Sequence, residues 1–438
     1  MTRLTNRLKR DISQAIRWLA PGLGVKRWFS LILLGITLLG VGLGILLLDF
    51  YRNAPETWWL PAVTFLSLRF LPRLARFVIF GCIGLGLILL GIWGVNRSLV
   101  IPFLRPGQKL VDQVSEYRRR DKGPRIVVIG GGHGISTVLR GLKVYTHNLT
   151  AVVSVADDGG SSGELRRSLG ILPPGDIRNC LAALSNDEDL LTQLFQYRFS
   201  GDSGLGGHSF GNLFISALVD ITGSFEEAII ESGRVLSVHG KVIPSTLENV
   251  KLIADVQLPY IGTEIRVEGE SYIPKTTGKL QRVWIEPNDA AAFPPVIQAI
   301  LNSDMIVVGP GSIYTSILPN ILVPDLLSAF QSSRALKILV CNIANQEGET
   351  DQYSSSDHVD ILELNLGESA FDVIICNDNY PVPKSNGVKW VQVDEKLMSD
   401  KRTYCADLLD NENPWRHDSV KLGKVLIDLL YERTGPLI

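Results

Sequence analysis

Cysteine and histidine are sparse in this chain, and neither is arranged for metal or disulfide chemistry. Cys82, Cys180, Cys341, Cys376 and Cys405 lie far apart without C-x-x-C spacing. That excludes a disulfide framework and a thiolate zinc site, and it suits a reducing compartment. Cys341 and Cys376 fall inside apolar extended runs and read as core. The six histidines form no H-x-H or H-E-x-x-H pair, so the common histidine metal motifs are absent. A charge excess is missing too. Lys and Arg number 43 against 45 Asp and Glu, leaving −2, so no global basic field points to nucleic acid. No Gly-Lys pair is followed by Ser or Thr with a glycine at the right distance upstream, which excludes a P-loop nucleotide hydrolase. No internal repeat or low-complexity segment stands out.

What is present begins with hydrophobicity. The mean hydropathy of +0.17 traces to Phe29–Leu48 and Phe77–Asn96, each 20 residues without a charge. At about 1.5 Å per residue, each spans the roughly 30 Å hydrocarbon core. Residues 1–28 carry seven basic side chains against Asp11 alone. With the length of the run and no small-x-small cleavage site, that lead argues for a membrane span over a signal peptide. The expected organisation is a basic cytoplasmic N-terminus (1–28), a span (29–50), a loop (51–76), a second span (77–97), a juxtamembrane linker (98–123) and a soluble domain (124–438). Basic residues outnumber those of the loop on both outer flanks, so both ends are expected in the cytoplasm, at the inner or plasma membrane. Trp58 and Trp59 read as interfacial anchors, and Arg118, Arg119 and Arg120 lie where anionic headgroups attract them.

The stretch that organises the remainder is RIVVIGGGHGIS, Arg125 to Ser136. An apolar β-branched run leads into Gly130, Gly131, Gly132 and Gly134, with a helix-compatible segment from about Ile135. Strand, glycine turn and helix in that order bring backbone N–H groups to a phosphate. The strict G-x-G-x-x-G is not met, because Ile135 stands where its last glycine belongs. A second β-rich run, Leu149–Val155, ends in Asp157 and Asp158, where a doubly wound fold places an acid for a ribose hydroxyl. Neighbours on an extended run point to opposite faces. One of the pair is therefore expected at the ligand, and the other as acceptor for the Gly159–Ser162 amides.

Extended runs recur at 125–129, 150–155, 304–308, 337–341 and 371–376, separated by helix-length stretches. The fold class expected is α/β: a Rossmann-like, mainly parallel sheet with helices on both faces. Val242–Pro244, Leu252–Val256, Ile265–Val267 and Arg282–Ile285 suggest short strands of a small inserted β-rich subdomain, and two transmembrane helices precede the whole. Pro173-Pro174-Gly175-Asp176 reads as a rigid turn delivering Asp176 as an N-cap, or Asp176 or Arg178 to the cleft. GDSGLGGHSFGN, Gly201 to Asn212, leads into a helix from about Phe210, with His208 and Asn212 where an anionic group is favoured. Gly309, Gly311 and Ser312 form another glycine turn after a strand.

Six motifs in order, GGGHG, ADDGGSSG, PPGDIRN, GGHSFGNL, GPGSIYTS and NQEGETDQYSSSDHV, resemble the gluconeogenesis factor (YvcK-like) family. That family is a branch of the CofD-like superfamily typified by 2-phospho-L-lactate transferase. The resemblance covers about residues 124–430 and not 1–123. It implies binding of a nucleotide sugar of the UDP-N-acetylglucosamine kind and a part in cell shape and envelope growth. The ligand is expected across Gly130–Gly134, Asp157–Gly160 and Gly309–Ser312, with His208 and Asn212 among the binding residues. Transferase relatives use Mg2+, for which Asp157 and Asp158 are the candidate ligands; Asp157, Asp158 and Asp176 are the candidate catalytic groups. Since the region after the acidic pair has the regulator-like form, a binding regulator is favoured over a transferase. A dinucleotide-dependent oxidoreductase, with His208 as its proton-transferring group, is the further alternative. Expected partners are the nucleotide sugar, the membrane and a second copy of the chain, but not nucleic acid. Gly132→Val is expected to block the ligand while leaving most of the fold.

Overall fold

Four apolar β-branched residues in a row leave no polar face for water, so a strand made of them must be covered on both sides. In the computed structural model, β1 (Ile126–Gly130) is such a strand, buried at all five positions. Its alternate residues enter two cores: Ile126 and Val128 face one, Val127 and Ile129 the other. The structure describes residues 120–438 apart from 186–189, 202–203, 259–262, 382–387 and 436–438, together with scattered positions between 34 and 89. The chain divides into two units, Met1–Arg119 and Arg120–Ile438.

In the second unit β1 is flanked by β2 (Leu149–Val153) and β7 (Met305–Val308). Beyond β2 lies β3 (Lys241–Pro244); beyond β7 follow β8 (Leu336–Val340), β9 (Val373–Asn377) and β10 (Thr403–Ala406). All six pairings are parallel. Taken in the order they enter this sheet, the seven strands lie 3-2-1-4-5-6-7, the doubly wound arrangement. One face is covered by α1 (Gly132–Leu142), α3 (Gly175–Leu184) and α12 (Ser419–Thr434). The other is covered by α7 (Pro294–Leu301), α9 (Pro324–Ser332) and α10 (Ser355–Leu366). An antiparallel sheet of β4 (Lys251–Gln257), β5 (Glu264–Glu268) and β6 (Lys279–Glu286) packs into that second core.

Two expectations need correction. Val242, Ile243 and Pro244 are not part of the insertion; they pair with β2 as the edge of the main sheet, so the inserted sheet has three strands. The helix after the glycine turn begins at Gly132 rather than Ile135, which places the last two glycines of the cluster inside α1.

The two expected membrane spans fall largely outside the described residues of the first unit, as do Trp58, Trp59 and most of the linker. Of the second span, residues 78–86, 88 and 89 are helical, and Phe80, Ile83, Leu85 and Leu89 are about half exposed. Among the described residues no single helix is long and apolar enough to cross a membrane.

Candidate functional site

β1 and β7 are neighbours whose successors run to opposite sides of the sheet, so the turns leaving their carboxyl ends splay apart. The crevice between them is a cleft of about 1070 Å³. The start of α1, directly after β1, contributes Gly132, His133 and Gly134, and the β7 turn contributes Pro310, Gly311 and Ser312. Asp157 enters after β2; Asp176, Arg178 and Asn179 come from the first turns of α3. Glu270 arrives from the insertion, Asn342–Gln346 and Glu349 from the segment after β8, and Trp415, Arg416 and His417 from the C-terminal loop.

The glycines serve the crevice first by letting its walls meet. A Cβ on Gly134 would stand 1.9 Å from the carbonyl oxygen of Pro310, and one on Gly132 would stand 2.4 Å from Cα of Asp176. Neither neighbour is a flexible side-chain end, so Gly132→Val acts on the packing of α1 against α3 and is no clean test of binding. The Gly311 N–H is already taken: it donates to Asn342 Oδ1 at 2.9 Å, while Asn342 Nδ2 donates to the Gly311 carbonyl at 2.9 Å. Gly130, Gly131, Gly159 and Gly309 do not line the cleft.

Asp157 lines the cleft and also accepts the Gly159 N–H at 2.8 Å. Burial raises its pKa, with Asp176 and Asp158 adding to the effect. Asp158 instead turns to the insertion, where Oδ1 accepts the Ser271 N–H at 2.9 Å. One carboxylate thus takes both roles expected of the pair. Strand alternation does not govern them because β2 ends at Val153. Of the two candidate Mg2+ ligands only Asp157 lines the cleft, and no group of three or more His, Cys, Asp or Glu among the described residues is placed to hold a metal. Asp176 is not an N-cap: Pro174 occupies that position, and the Asp176 carboxylate in the first turn is bonded by the Gly132 N–H. Burial nevertheless raises its pKa.

His208 and Asn212 are placed elsewhere. His208 Nδ1 meets Ser161 Oγ at 3.0 Å and its Nε2 lies 3.3 Å from Glu164. Asn212 Nδ2 donates to Ser161 Oγ at 3.0 Å and to Ser162 Oγ at 3.4 Å. Both belong to a buried polar cluster beneath α2 (Gly160–Leu169) and do not line the cleft. The helix start that drew attention to them is capped internally, Ser209 accepting the Asn212 N–H at 3.3 Å.

Residues given little or no weight in the sequence complete the site. Arg178, weighed there only as an alternative, is 5% exposed. Its Nη2 donates to Asn179 at 2.9 Å, while Nε and Nη1 have no hydrogen-bond partner. Burial, together with Arg198, brings its pKa down to about 10. His133 sits against Asn179, and burial and Arg178 lower its pKa, keeping the ring neutral at pH 7. Burial also drives His417 to about 4. Ser312 and Thr315 hydroxyls donate to Glu349, whose pKa burial raises. Arg140, Arg178, Arg198 and Arg416 give the same cleft four guanidinium groups.

Glu270 is pushed to about 8 by burial and then by Asp157, Asp176, Glu349 and Asp158. A carboxyl whose pKa is higher in the folded chain binds its proton more tightly there. It favours folding at low pH, and that contribution is lost as pH rises from the ordinary 4.5 through about 8. Glu270→Gln is expected to flatten the decline in urea-unfolding stability across that window, by up to about 1.4 kcal/mol per pH unit. An unchanged slope would contradict the placement of Glu270 among these acids.

Residues 126–422 match the sequence profile of the 2-phospho-L-lactate transferase CofD family. A Nostoc sp. protein provisionally named a gluconeogenesis factor is 42% identical over 438 residues, covering 96% of this chain and 94% of its own length. The gluconeogenesis factor of Bacillus subtilis is 41% identical over 318 residues, 70% of this chain and 99% of its own. The crystal structure of a UPF0052 family member from Bacillus halodurans aligns with a TM-score of 0.64 at 41% identity, covering 70% of this chain and 99% of that one. Met1–Arg119 is more than a quarter of the chain, so the 96% share takes in most of that unit as well. Similarity therefore reaches further toward the N-terminus than the six motifs implied.

Proposed function

The chain belongs to the CofD family and has gluconeogenesis factors as homologues, and from that premise we propose that its cleft binds a nucleotide sugar of the UDP-N-acetylglucosamine kind and that the protein acts as a binding regulator of cell shape and envelope precursor metabolism. The observation that carries the reading is Arg178: a buried cation beside the cleft, two of its nitrogens without partners, at the switch point of a doubly wound sheet. Burying an uncompensated charge is costly, and a diphosphate in the cleft would supply the missing counter-charge. The carboxylates in the same lining, with Glu270 protonated near neutral pH, suit sugar hydroxyls. The half-exposed Trp415 ring offers the base a stacking surface.

Binding is favoured over group transfer because only Asp157 of the acidic pair lines the cleft, while Asp158 is engaged by the Ser271 N–H. The dehydrogenase reading loses its proton-transferring group, since His208 is held between Ser161 and Glu164. Isothermal calorimetry with UDP-N-acetylglucosamine and, separately, NAD(H) distinguishes the readings. Saturable binding of the nucleotide sugar is expected, and binding of NAD(H) alone would overturn the proposal. Incubation with Mg2+, a guanylylated phospholactate and the deazaflavin is expected to give no joined product; its formation would convert the regulator into a transferase. The same proposal keeps the protein at the membrane through spans 29–50 and 77–97, with the second unit in the cytoplasm. Protease added to intact right-side-out cells should then spare that unit.

A further inference from the structure

The margin of the sheet formed by β8, β9 and β10 carries three thiols side by side. Cys405 on β10 is the register partner of Cys376 on β9. Cys341 follows β8 directly and donates its amide to Ile375. Register partners on parallel strands project to the same face, and Cys376 and Cys341 share the core that includes Val359 and Leu362 of α10. Access falls steeply along the row: Cys405 is exposed on the edge strand, Cys376 is 1% exposed and Cys341 is 3% exposed. Cys180 lies in the opposite core.

We propose that Cys405 and Cys376 are a redox-sensitive pair that closes to a reversible disulfide between β9 and β10. Adjacent strands run about 4.8 Å apart, which lies inside the roughly 4.4–6.8 Å Cα window of disulfides. Parallel projection holds the Cβ atoms wider than the usual ~3.8 Å, so the closed bridge is strained and readily reduced. That is the kind of disulfide a reducing compartment tolerates as a transient signal.

The two thiols divide the chemistry. Cys405 is the one that an oxidant reaches. Its thiolate attacks the O–O bond of a peroxide, the sulfur loses two electrons and becomes a sulfenic acid, and the displaced oxygen leaves as water. Cys376 then attacks the Cys405 sulfur, the S–S bond forms, and hydroxide departs with a proton as a second water. Two thiols and one hydrogen peroxide give one disulfide and two waters. Cys376 suits the second step because its sulfur accepts a hydrogen bond from Cys341 and lies beside Ser355, the first residue of α10, where a helix N-terminus favours thiolate. These contacts hold its pKa below the ordinary thiol value in spite of burial. Burial raises the Cys405 thiol, so the first step is slow at neutral pH and quickens as pH rises. Cys341, buried and hydrogen-bonded to Cys376, is raised well above the ordinary value and stays a thiol.

The test treats the purified, reduced full-length chain with hydrogen peroxide and maps its peptides by mass spectrometry without reductant. The expected product is one cross-linked pair containing Cys376 and Cys405, lighter by two hydrogens and restored by dithiothreitol. In Cys405→Ser, an exposed position whose fold circular dichroism verifies, that pair is absent and Cys376 remains alkylatable. In Cys376→Ser, Cys405 accumulates as a sulfenic acid captured by dimedone. A wild-type chain whose Cys405 proceeds to sulfinic acid without bridging, or whose bridge joins Cys341 to Cys376, would overturn the assignment.

Discussion

Replacing Gly134 with alanine is expected to cost the folded protein a large share of its stability, not merely its ligand. The added Cβ would stand 1.9 Å from the Pro310 carbonyl oxygen and 3.0 Å from Cα of Gly311. Both are backbone atoms of the β7 turn, and that turn is pinned by Asn342 on either side of Gly311. Relief therefore requires moving α1 or the whole turn, at the point where β1 and β7 pair. Overpacking usually costs about 1–3 kcal/mol and occasionally more; a contact this short against fixed backbone belongs at or beyond the upper end. Against a typical total of roughly 5–15 kcal/mol, such a loss takes a large share of the stability. Urea unfolding measures it, with Gly204→Ala as the control, because a Cβ on Gly204 meets nothing within 4 Å. A Gly134→Ala protein as stable as its parent would refute the account of why the glycines are there.

Arg178→Met should separate stability from binding. In the free protein the guanidinium is buried, crowded by Arg198 and satisfied at only one nitrogen. A methionine fills similar space without the desolvation cost. Loss of the attraction to Asp176 and Asp157 works in the other direction. The net expectation is an unfolding free energy within about 1 kcal/mol of the parent or above it. Affinity for a nucleotide sugar is expected to fall by about 100-fold or more, which is roughly 2.7 kcal/mol or more. A structural ion would show the reverse pattern, a stability loss of several kcal/mol with affinity intact.

Much of this architecture is legible in the sequence for a physical reason. β1, β7 and β9 are buried at every position, and β2 and β8 at most of theirs, so each appears as a largely apolar run that needs no context. The elements that escape are those whose identity depends on neighbours. Val242–Pro244 resembles the short strands that follow it, and only its pairing with β2 assigns it to the main sheet. β10 is four residues long with both central residues exposed, so no periodicity marks it.

The site divides in the same way. Glycine turns after buried strands are visible, and they do frame the cleft. Glu270 and Trp415–His417 reach it from an inserted loop and a C-terminal loop, whose sequences carry no local sign of the destination. His208 shows the opposite error: a histidine at a helix start has a ready local reading, yet its partners Ser161 and Glu164 come from a distant helix. Asp157 and Asp158 show the limit of strand alternation, which lapses a few residues before they are reached.

The central claim is that the cleft at the β1–β7 switch point holds a diphosphate against Arg178. The most direct measurement is a calorimetric titration of UDP-N-acetylglucosamine into the parent chain and into Arg178→Met, with both shown to unfold at comparable urea concentrations. Single-site saturation in the parent and loss of about 100-fold or more in the variant is the result predicted. Equal affinity in the two proteins, or no binding in the parent, would contradict it.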